Sequence, residues 1–353
     1  MISEHLTEYA GLPVVDFLSA GAEEHRLQRA TWHARRAGEE APTSTPHRER
    51  MERAITDPGA VAWALRLEPG AEDFAPYLRR FVAEVDTARV TALVIGDWGL
   101  HDGSDVPSTV VRDALVEHAA AFPGLRSLFF GDITVEENEI SWIQQTDLAP
   151  LLAAYPRLRE LTVRGVGETY QGASILALRV PEHAELRSLT LQSGGLPGRV
   201  VREVASSGLP ALESLELWLG VDHYGGDAAP ADLEPLLTGT TVPHLRHLGL
   251  RNAQDTGLWL RALVASPLLE RLTSVDLSMG TLRGRDVDHL LASVPALSHL
   301  KSLDLHHHYL SEEQSARVRD AFAGTGVVVD LADRREPEHY GDGDDVHYPS
   351  VTE

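Results

Sequence analysis

Cysteine is absent from all 353 residues, which removes disulfides, thiolate metal sites and cysteine nucleophiles together. Lysine is nearly absent: Lys301 stands alone, with no glycine loop before it, so a phosphate-cradling P-loop is excluded. Basic charge is short, 31 Lys+Arg against 53 Asp+Glu, for a net charge of −22. The basic residues are also scattered, so neither nucleic acid nor an anionic membrane is expected as a partner. No apolar run approaches the roughly 18 residues needed to span a bilayer. Glu4, Glu8 and Asp16 stand where a targeting leader would be apolar or positive, so a cytoplasmic location is expected. There is neither a His-Glu-x-x-His zinc helix nor a Gly-x-Ser-x-Gly nucleophile elbow. With 43% hydrophobic residues the chain nevertheless has the apolar content of a folded protein.

What is present is a repeat. Leu125-x-x-Leu128-x-Phe130 recurs at Leu158, Leu186, Leu212, Leu245, Leu272 and Leu300, and weaker copies begin at Val90 and Gly326. These nine starts lie 26 to 35 residues apart. Alternate apolar positions within each copy predict a short strand with one buried face, and the residues ahead of it carry helical periodicity, as in Val110, Ala114 and Leu115. Pro123, Pro156, Pro210 and Pro243 fall between helix and strand, where a helix must stop.

On these motifs the chain resembles the leucine-rich-repeat superfamily over residues 61–331. The resemblance implies an α/β solenoid, a horseshoe of about nine repeats with a parallel sheet on the concave face and helices on the convex face. The column that usually holds a buried asparagine reads Ile133, Val166, Gly194, Gly220, Ala253, Gly280 and His308, so the usual amide ladder is not expected. The loop segments 131–133 with 139–143, 217–220 with 224–227, and 303–311 are similar to those of a bacterial leucine-rich-repeat family of unassigned function, named after a Salmonella locus and common in actinobacteria. That similarity implies an accessory part in a peptide or small-molecule modification pathway.

Three regions are expected: an N-terminal cap over 1–70, the solenoid over 71–331, and an acidic C-terminal tail or cap over 332–353, within which 346–351 could return as a closing strand. Residues 12–18 and 61–67 are expected to close the N-terminal end. The stretch 38–50 shows no apolar face and two prolines, and reads as a mobile insertion in the cap.

Function is then expected on the strand face. The outward column between the second and third motif positions reads Val94, Phe129, Thr162, Thr190, Glu216, Gly249, Asp276, Asp304 and Asp330, turning from neutral to acidic. Trp218, Arg251 and His306 stand in the column two residues on. Stacked carboxylates on adjacent strands repel, so something must offset them, either a basic partner or local hydrogen bonds. An exposed Trp218 beside Arg251 has the composition of a binding hot spot, against the plainer reading of a Trp laid over its neighbours. Glu216, Trp218, Arg251, Asp276, Asp304, His306 and Asp330 are therefore the candidate binding residues, for a protein or peptide of basic character. The chain is expected to be a non-enzymatic, monomeric scaffold without cofactor or metal. The alternative is a metal-dependent or acid-base enzyme using Asp276, Asp304 and His306, against which stands a structural role for His306, His307 and His308 beside Tyr309. Asp97, His101, Asp102 and Asp105, with Asp132, Glu136, Glu137 and Glu139, form a second acidic group whose spacing does not match a calcium loop.

Overall fold

The structure, a computed structural model, describes residues 2–68, 72–100, 106–166, 176–339 and 345–352. Among them are twelve strands: β1 (Glu8–Tyr9), β2 (Leu12–Phe17), β3 (Ala62–Leu65), β4 (Ala92–Ile95), β5 (Ser127–Phe130), β6 (Glu160–Arg164), β7 (Ser188–Gln192), β8 (Ser214–Gly220), β9 (His247–Ala253), β10 (Ser274–Asp276), β11 (Ser302–Asp304) and β12 (Val328–Asp330). Each of the nine motif copies carries one strand, β4 to β12, which begins two residues after the copy's first position. The protein is thus an α/β protein built on a mostly parallel open arrangement of strands.

By compactness the chain forms two units, one of residues 2–139 with 150–163 and the other of 140–149 with 164–353. In the N-terminal unit β1 pairs antiparallel with β2, and β2 through β6 pair in parallel, neighbour to neighbour. In the C-terminal unit β7 through β12 are parallel in chain order. The segments 12–18 and 61–67 do not merely close an end. They supply β2 and β3, which extend the parallel pairing ahead of the first motif copy.

Register in the C-terminal unit is set by inward leucines and by a backbone stitch. Leu189, Leu215, Leu248 and Leu303 have no exposed surface, and Leu215 stands opposite Leu248 as Leu189 does Leu215. The residue after each first motif leucine donates its amide to the carbonyl of its counterpart one copy back. This links Glu213 to Arg187 (2.8 Å), Arg246 to Glu213 (2.8 Å), Thr273 to Arg246 (2.7 Å) and Lys301 to Thr273 (2.8 Å). Backbone groups that an asparagine ladder satisfies in other sequences are met here partly by His308. Its buried ring accepts from the Leu310 amide (3.1 Å) and donates to the Leu331 carbonyl (3.2 Å).

Of the stretch 38–50 expected as a mobile insertion, residues 46–50 are instead helical. Pro46–Thr56 is a helix with Thr45 as its N-cap and Pro46 in its first turn. Thr45 is buried and donates to Glu23 (2.6 Å). The apolar side of this helix, Met51 and Ala54, lies just past the end of the stretch read as insertion, so that window hid the amphipathic pattern.

Candidate functional site

The outward faces of the two units differ. In the N-terminal unit Ala62, Ala64, Ala92, Val94 and Phe129 form an apolar cluster with Tyr9, against which Leu6, Leu12 and Val14 pack. Tyr9 meets the Phe129 ring edge-on at 5.8 Å. Thr162, the next residue of that column, is buried as well. The expectation that Val94, Phe129 and Thr162 look into open solvent therefore fails, because the N-terminal segment crosses them. It is pinned by an ionic cluster: His5 meets Glu137 (3.1 Å) and Asp132 (3.5 Å), Leu6 donates its amide to Asp132 (3.3 Å), and Arg66 joins Asp132 (2.6 Å) and Asp16. Burial would lower the His5 pKa, but the bonds from Asp132 and Glu137 outweigh it and carry it to about 9. Of the acidic group read from the sequence at this rim, Asp132 and Glu137 serve this purpose, while His101, Asp102 and Asp105 lie outside the described residues.

In the C-terminal unit the column is ionic and only partly covered. Glu216 faces Gly249, and Asp276 and Asp304 stand opposite each other, as do Asp304 and Asp330. Arg251 bridges the first two carboxylates, at 3.0 Å from Glu216 and 3.1 Å from Asp276. His247 adds a second contact to Glu216 at 3.2 Å. Burial alone would raise the Glu216 carboxyl, yet His247 and Arg251 hold it below the usual range. At Asp276 burial prevails over Arg251 and the pKa is raised.

A second device offsets the repulsion. Asp276, Asp304 and Asp330 each accept the backbone amide two residues on, from Ser278 (2.8 Å), His306 (3.0 Å) and Ala332 (2.8 Å). The chain turns directly afterwards: Met279, His307 and Asp333, and Asn252 at the equivalent motif position near the end of β9, all take a left-handed conformation with φ between 54° and 64°. The aspartates of the column thus shape the end of each strand. A repeated Asp-x-x spacing before the turn is the signal that reveals this role.

Trp218 needs a correction. It is only 7% exposed, with the Arg251 guanidinium 5.3 Å from its ring centroid. Trp218 and Arg251 are register partners on β8 and β9, so the arginine that ties the carboxylates also roofs the indole. The Trp is laid under its neighbour and is not an open anchor.

Solvent reaches the column at its far end. The side chains of Asp304 and His306 are 32% and 29% exposed, and Asp330 is exposed. His306 Nδ1 lies 2.8 Å from Asp304. Asp304, His306 and Asp330 each offer a ligand atom, all within 4.8 Å of one another, the only such group of three among the described residues. The trio named from the sequence had Asp276 in place of Asp330; Asp276 is occupied by Arg251 and points to the other neighbour. A cation here would compete with the His306–Asp304 bond and meet three protein ligands. The other two histidines of the cluster are buried: His308 in the backbone role given above, and His307 edge-on to Tyr309 at 6.0 Å.

No protein-family model matches the chain, and no curated protein matches it. Among solved structures it is similar to a protein from Bacteroides fragilis, with 28% identity and a TM-score of 0.70, covering 91% of this chain and 86% of that one. Two likenesses are weaker. One is TLR13 in complex with a single-stranded RNA, at 15% identity and TM-score 0.37, covering 83% of this chain and 34% of that one. The other is an internalin from Listeria monocytogenes, at 15% identity and TM-score 0.29, covering 78% and 82%. No helix among the described residues is long and apolar enough to cross a membrane.

Proposed function

We propose that the protein is a non-enzymatic leucine-rich-repeat scaffold that holds an extended, basic protein segment on the strand face of its C-terminal unit. The observation that carries this reading is the asymmetry of the acidic column. Glu216 and Asp276 are tied together by Arg251, whereas Asp304 and Asp330 keep solvent-facing carboxylates with only partly exposed His306 beside them. A lysine or arginine of a partner would complete the alternation of charge along the column, and opposite charge would steer its approach. Trp218 enters as the platform that holds Arg251, not as a contact in its own right. The protein acts as a monomer in this reading. An accessory part in a modification pathway is its narrower form and rests on the sequence resemblance alone.

The test begins with cross-linking in the native host, followed by titration of the recovered partner against Asp304→Asn and Asp330→Asn at two salt concentrations. Each variant is expected to weaken binding, mainly by slowing association, and to flatten its salt dependence. Unchanged affinity in both would move the site off this face. The proximity of Asp304, His306 and Asp330 favours one second reading, a metal-dependent activity at that end. One tightly held zinc, nickel or manganese ion per chain, lost in His306→Ala, would establish it in place of the scaffold.

A further inference from the structure

Away from the acidic column, Asn252 near the end of β9 and the turns that follow β10 and β11 receive another part of the chain. There the segment 346–352 is seated, with a bend at Ser350. The Asn252 side chain clasps the main chain of Val351 from both sides: Nδ2 donates to the Val351 carbonyl, and Oδ1 accepts from its amide (2.9 Å). Ser350 donates its amide to the Met279 carbonyl (2.7 Å), and Ser141 Oγ donates to the Thr352 carbonyl (2.6 Å). At Tyr348, Tyr309 Oη donates to the carbonyl (2.8 Å) and accepts the amide (3.0 Å). A Cβ on Gly194 would stand 2.5 Å from the Thr352 carbonyl oxygen and strike Ser141 Oγ, so the floor of the groove is kept bare at that point.

These contacts read a backbone, not a sequence. Two side chains of the seated segment are buried, Pro349 and Val351, one on each side of the bend at Ser350. Tyr348 is 42% exposed. The receiving groups belong to the body of the C-terminal unit, and Asn252 is fully buried in a left-handed conformation that asparagine tolerates well. Its Oδ1 is turned toward the Val351 amide, and leaving that acceptor unmatched carries a desolvation cost, whereas Nδ2 also reaches the Ser193 carbonyl (3.4 Å). We infer that this groove is a site for a partner peptide that carries proline two residues before valine and bends between them, and that segment 346–352 occupies it in cis as a stand-in. This inference is independent of the strand-face reading, since it uses none of the column residues.

The test uses the full chain with Val351→Glu, which places a carboxylate in the valine pocket. Amide exchange across 348–352 should rise by about a hundredfold while the rest of the C-terminal unit keeps its protection. A fluorescein-labelled synthetic peptide of residues 346–352 should then bind saturably to the variant, about tenfold tighter than to the native chain, where the cis segment competes at high effective concentration. Adding Asn252→Ala, or using the peptide with its own valine changed to glutamate, should abolish binding. The inference is overturned if the peptide fails to bind a chain whose own segment exchanges rapidly, or if the glutamate peptide binds equally well. It is also overturned if both Val351→Glu and the milder Val351→Ser lose the cooperative melt, because the segment would then be part of the core and not an exchangeable ligand.

Discussion

Val94 on β4 and Asp304 on β11 occupy the same place in the same motif, yet one is fully buried and the other about a third exposed. In the N-terminal unit the outward column is alanine, valine and phenylalanine, and a segment bearing Leu6 and Tyr9 has folded over it. In the C-terminal unit it is glutamate and aspartate, held by Arg251 and by amides at the strand ends. The repeat dictates which residues point inward. What covers the other face depends on whether that face offers apolar area to bury or charge to balance.

The largest expected effect tests what the two units share. Leu128→Asp and Leu248→Asp replace fully buried inward leucines, and each should cost on the order of 4 kcal/mol or more by burying an unpaired carboxylate. Thermal melts check this, and Ser302→Asp, at a half-buried outward position, should be tolerated. Tolerance of both leucine changes would mean that the register assigned to the strands is wrong.

The next effect separates the units. Phe129→Ala should cost about 3 kcal/mol because it opens a cavity under Tyr9, whereas Asp304→Ala should change stability by less than about 1 kcal/mol. Equal losses in denaturant titrations would erase the distinction between a covered and an open face. Arg251→Ala falls between them, at about 2–3 kcal/mol, because it strands Glu216 and Asp276 together and unroofs Trp218. A red shift of tryptophan emission should accompany the loss.

The smallest effect is one of pH. His5 has a folded pKa of about 9, above its ordinary value of 6.5. Its contribution is therefore complete below pH 6.5 and is lost as pH rises through about 9. The protection of amides in residues 2–9, taken relative to their base-catalysed intrinsic exchange, should fall over that interval, and His5→Asn should remove that fall. The C-terminal unit should show no matching change, and a parallel response there would break the comparison.

The nine strands were legible because burial of alternate residues leaves a period of two, and stacking leaves a repeat of near 28 residues. The candidate column was legible for the same reason. The left-handed turns were visible less directly, through the aspartates two or three residues ahead of them. Asn252 was passed over because it sits one place before the column where an asparagine was sought.

By itself, then, the sequence determined the strand positions, the inward leucines and the composition of each outward column, since all three follow from spacing along the chain. Only the tertiary structure decided that Tyr9 closes the N-terminal face, that Arg251 spends its charge on Glu216 and Asp276, and that residue 351 lies against residue 252. Those contacts join residues from 25 to 120 positions apart. No local period encodes them, because each is selected by the burial and charge balance it satisfies once the strands have stacked.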